Sequence, residues 1–132
     1  MPVKKTPCEY KRLPNGVHQI TLRRANMRGM EALIGHLQTA FDATPEGETA
    51  LLLIDHRPEG IPSLPLTIPA LEAFIESRTY TPRLRVAYLH DNNVQTSLLE
   101  MFLKRLNIQA TRRFFVGDAE DEALAWLLSE DE

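Results

Sequence analysis

The sequence predicts an α/β fold in the order β-β-α-β-α-β-α-β-α, with a mixed, mostly parallel five-stranded sheet and four helices. Three observations carry this. Ala50 to Ile54 and Arg83 to Leu89 are strand-length runs apolar on both faces, the pattern of strands covered by helices. Amphipathic stripes of helical spacing alternate with those strands, as βαβ units require. Pro14-Asn15-Gly16 supplies the positive φ of a hairpin reversal, so the first two strands are antiparallel.

The elements follow in order. Tyr10 to Leu13 and Val17 to Leu22 make the hairpin, with His18, Ile20 and Leu22 on one face and Val17, Gln19 and Thr21 on the other. Asn26 is placed to cap a helix whose Met27, Met30, Leu33, Ile34, Leu37 and Phe41 form its core stripe. Pro45-Glu46-Gly47 ends it, and the central strand Ala50–Ile54 follows. The Pro58 to Pro69 segment reads as a long loop, with Pro69 opening the second helix, where a missing amide costs nothing, and Thr67 as its cap. Ile68, Leu71, Phe74 and Ile75 are its buried stripe, and it ends near Ser77 to Thr79. Strand Arg83–Leu89 precedes capping oxygens at Asp91, Asn92 and Asn93 and a third helix with Val94, Leu98, Leu99, Phe102 and Leu106 inward. Ile108 to Val116 is the last strand. Asp118 is the expected cap of a fourth helix with Glu120, Asp121 and Glu122 in its positive first turn, Leu124, Leu127 and Leu128 inward and Trp126 partly buried.

The expected organisation is a leader over residues 1–9 and one domain over 10–130. A chain of 132 residues buries roughly two thirds of its unfolded surface, enough for a core without staples. No apolar run is long enough to span a bilayer, and Lys4, Lys5, Lys11 and Arg12 precede no signal-type apolar segment, so a cytoplasmic location without membrane insertion is expected. A net charge of −3 argues against nucleic acid, and Arg23, Arg24, Arg28, Arg112 and Arg113 read as solvated surface. The lone Cys8 reads as a surface thiol without a role.

The first hairpin, the central strand ALLLIDH, the strand RLRVAYLHD and above all the ending RRFFVGDAEDEALAWLL resemble the SpoIIAA-like branch of the STAS fold, named for sulfate transporters and anti-sigma factor antagonists. The resemblance spans nearly the whole domain. It implies a right-handed β-α superhelix and a non-catalytic regulatory or protein-interaction module, with a protein partner and no cofactor. In the phosphorylated antagonists a serine after the central strand is the switch. The matching segment here is DHRPEGIPSLPLTIPAL, which lacks the Asp-Ser dipeptide, and its hydroxyls Ser63 and Thr67 are the candidate phosphoacceptors. Related superhelices include lipid-exchange domains, which suggests an apolar pocket or homodimer face on the sheet side without helices, or a dimer contact at Ile61, Leu64 and Leu66.

The sharpest chemical grouping is Asp55-His56 with His90-Asp91, which parallel neighbouring strands bring to one carboxyl edge about 5 Å apart. Two imidazoles and two carboxylates suit a divalent metal or acid-base work. Alternation along a strand opposes convergence of all four, and the competing assignment makes Asp91 a cap, Asp55 an acceptor for loop amides and the histidines wet. No nucleophile elbow, phosphate loop or cysteine pair is present, so no catalytic residue and no metal ligand is assigned.

Overall fold

The computed structural model describes residues 6–91, 94–106 and 108–129, with the side chains of 94–96 excepted. The expected caps Asn92 and Asn93, the inward side chain of Val94 and residues 1–5 of the leader lie outside what the structure describes. Among the described residues nine elements appear, in the expected order: β1 (Cys8–Arg12), β2 (His18–Leu22), α1 (Met27–Asp42), β3 (Thr49–Asp55), α2 (Leu64–Glu76), β4 (Arg83–His90), α3 (Val94–Leu103), β5 (Ala110–Val116) and α4 (Glu120–Leu128). The five strands lie in sequence order across one sheet, β1 antiparallel to β2 and every later pair parallel.

Local chemistry explains the starts. The hairpin closes through Leu13 N–H to Val17 O and Gly16 N–H to Leu13 O, with Gly16 at φ 90°. Asn26 Oδ1 accepts from Gly29 N–H at 2.9 Å, the expected cap of α1. β1 begins at Cys8, inside the stretch assigned to the leader, and Pro7 O accepts from Arg23 and Arg24 N–H, so residues 7–9 of that stretch belong with the sheet. Cys8 is thereby buried, not a surface thiol, and burial pushes its pKa up to about 12.

Two helix starts differ from expectation. α2 begins at Leu64, with Ser63 as its N-cap residue and Pro69 inside the helix. Pro65 sits in the first turn, where its missing amide is harmless, and it opens the helix in place of Pro69. Thr67 is therefore no cap: it is 3% exposed and its hydroxyl donates to Pro62 O at 3.3 Å. In α4 the N-cap residue is Ala119, not Asp118, and no side chain caps it; the acidic first turn is as expected.

The sheet packs on both faces. α1, α2 and α3 cover one face with Ile20, Leu22, Met30, Phe41, Leu52, Ile54, Phe74, Val86 and Leu99, the arrangement that like-handed crossovers between successive neighbours produce. α4 covers the other, where Val17, Leu53, Ala87, Leu89 and Phe115 meet Ala123 and Leu127. Met27, Leu98 and Leu128, expected inside, are exposed, because they fall at the margins of their helix stripes. Among the described residues no helix is long and apolar enough to cross a membrane.

Candidate functional site

Strands β3 and β4 pair with Asp55 opposite Leu89, and His56 N–H donates to Leu89 O at 2.8 Å, so the two expected dipeptides do emerge side by side. Alternation then parts them. Asp55 points to the α4 face, whereas His56, continuing the face of Ile54, lines the layer beneath α1–α3. His90 shares the face of Tyr88, and Asp91 is exposed. The four groups do not converge, and among the described residues no set of three His, Cys, Asp or Glu side chains is arranged to hold a metal ion.

Asp55 has a structural occupation. Its Oδ1 accepts from the Arg57 backbone N–H and from Nε, both at 2.9 Å, and Oδ2 accepts from Nη2 at 2.8 Å. Arg57 also donates from Nη1 to Gly117 O at 3.2 Å and from Nη2 to Glu120. One guanidinium thus ties the end of β3 to the turn before α4 and to the first turn of that helix. The bidentate pairing with Asp55, followed by the bond to Glu120, raises the Arg57 pKa and keeps it charged. Asp55 accepts a loop amide as expected; the guanidinium partner, two residues on, was not legible, because its reach across to α4 depends on tertiary placement.

The histidines are buried, not wet. His56 is 4% exposed and stacks on Tyr88 with ring centroids 6.1 Å apart. Burial lowers its pKa to about 4; Asp55 opposes the shift and His90 adds to it. His90 packs edge-on against Phe114 and its pKa is also lowered by burial, with Asp91 opposing. His18 and His36, which offered no ligand spacing, sandwich Tyr10, at centroid distances of 5.9 and 5.4 Å.

Beneath α1–α3 lies an apolar cavity of about 70 Å³, walled by residues including Leu52, Val86, Phe74 and Leu99, with His56, Thr67, Tyr88 and Arg112 as its polar members. The pocket is therefore on the helix-covered side. The opposite face is covered by α4 over β3 and β4, and beyond that helix β1 and β2 present Glu9, Lys11, Gln19 and Thr21, which overturns the expectation of a bare apolar face. Ile61 is buried and Leu64 and Leu66 pack against the main core, so they form no exposed dimer contact.

Arg112 is likewise not plain solvated surface, whereas Arg113 is exposed as expected. β5 alternation sends Arg112 under the helices, where its charge acts on Tyr88, and lays Arg113 over the Phe115 ring at 5.2 Å. Of the two hydroxyls in the loop segment, Ser63 is exposed at the amino end of α2 and makes no capping hydrogen bond, while Thr67 is enclosed. Compared with protein-family models, with curated proteins and with solved structures, the chain matches none.

Proposed function

We propose that the protein is a non-catalytic regulatory or protein-interaction module of STAS type, working through the loop that runs from Asp55 to Ser63 and the neighbouring end of β4. The observation that carries this reading is Ser63: an exposed hydroxyl, unused in capping, at the amino end of the helix after the central strand. That is the place where the resemblance puts the switch serine. A phosphate there meets the positive end of the helix dipole. Two further features support the reading. The sequential strand order with three crossover helices on one face suits a β-α superhelix. The strongest acid-base candidate, Asp55, is engaged by Arg57 in a link between elements.

The test is co-purification from the native cell with tagged wild type, Ser63→Ala and Ser63→Glu, with peptide mapping of Ser63 in each growth condition. The expected result is a protein recovered with wild type and Ser63→Ala, depleted about tenfold with Ser63→Glu, and a phosphate adduct on Ser63. Equal recovery with all three forms and an unmodified Ser63 throughout would overturn it.

A further inference from the structure

The cavity under α1–α3 contains two hydrogen-bonding atoms with nothing to bond. His56 Nδ1 and Arg112 Nη2 are both buried and both lack a partner. Both residues line the cavity together with Tyr88, on which His56 stacks. Buried polar groups are nearly always paired, and an unpaired guanidinium N–H is among the costliest exceptions. No Asp or Glu is among the described residues that wall this space, so the cavity supplies the Arg112 charge with no counterion. Nearly everything else in the wall is aliphatic or aromatic.

We propose that this cavity is a binding site for a short-chain aliphatic carboxylate, whose carboxylate accepts from Arg112 Nη2–H and His56 Nδ1–H while its tail packs on Leu52, Val86 and Leu99. The sign of the ligand follows from the Arg112 guanidinium, a cation that offers donors and no acceptor. The neutral imidazole of a buried histidine still carries one N–H, which the carboxylate fixes on Nδ1. Size sets the tail. A cavity of about 70 Å³ is roughly half of one that takes benzene, which leaves room for an acid of about acetate size, with a one-carbon tail, and not for a membrane lipid. The site does not depend on Ser63 or on a protein partner, so it stands or falls separately from the regulatory reading.

The experiment titrates the whole protein with acetate, butyrate, hexanoate and octanoate, and with the primary alcohol of each length, by calorimetry and by the ring nitrogen shifts of His56. Saturable binding that peaks at acetate, about tenfold tighter than ethanol, and falls off with longer chains, with movement of the His56 Nδ1 resonance, is expected. Arg112→Met should lose that tenfold preference and leave alcohol binding unchanged. Equal affinity for acid and alcohol, or no saturable binding by any acid, would overturn the proposal on the wild-type protein alone, whatever the variant does.

Discussion

His56 couples the sheet to pH. Its imidazole takes a proton near pH 6.5 in the unfolded chain but only at about 4 in the folded one. Between those values the unfolded state holds more protons, so falling pH favours unfolding; above the window this group adds no pH dependence, and below it no further loss. Urea titrations of wild type should lose on the order of 3 kcal/mol from this group as pH falls from 6.5 to about 4, and His56→Gln should flatten that part of the slope. His90 and His18, also lowered by burial, act in the same direction and remain in the variant. Arg57 makes a second case. Arg57→Met leaves Asp55 buried without its bidentate partner and should cost about 2–3 kcal/mol, whereas Glu120→Gln, on a half-exposed partner, should cost under about 1 kcal/mol. Comparable losses for the two would mean that the Asp55 pairing is not the dominant one.

Among the elements, those set by periodicity and turn chemistry were legible in the sequence: the hairpin, α1 with its Asn26 cap, and the buried central strands. The start of α2 was not, because four prolines in one segment fit a helix start at either Pro65 or Pro69, and only the packing of Thr67 and Ile61 beneath the helix separates them. Nor could spacing alone tell that Arg112 turns inward, since a charged residue in a strand reads as solvent-facing unless a cavity is known to await it. Gly29 shows the same limit inside a helix that was foreseen. A Cβ there would lie 1.8 Å from Arg24 O, a backbone atom that cannot step aside cheaply. Helix propensity alone favours alanine by about 1 kcal/mol. The close approach should reverse that sign, so Gly29→Ala is expected to lower stability by about 2 kcal/mol or more in chemical denaturation; a stabilised variant would show that the loop before α1 yields freely.

Seen whole, the molecule is one sheet with unequal covers. Three helices shield one face, and the nine-residue α4 alone shields Leu53, Ala87, Leu89 and Phe115 on the other. Arg85 reinforces that thin cover: its guanidinium lies 4.1 Å from the centre of the Trp126 ring and donates to Trp126 O and Ser129 Oγ near the end of the helix. Deleting residues 118–132 should therefore do more than shorten the protein. The expected product keeps far-UV helix and strand signal but binds a hydrophobic dye and loses near-UV dichroism; a truncated form with native near-UV signal would show that the second face needs no cover.

The sequential strand order gives synthesis a direction. Each new strand leaving the ribosome finds its only earlier neighbour already laid down, so the sheet grows from one edge without waiting for a distant partner. α4 emerges last, and with it Glu120, which takes hold of Arg57 at the end of the central strand. A half-made chain holds that guanidinium by Asp55 alone. The loop after β3 thus reaches its final tether only once the far end of the domain has arrived, so a prematurely released chain would differ at that loop from a finished one.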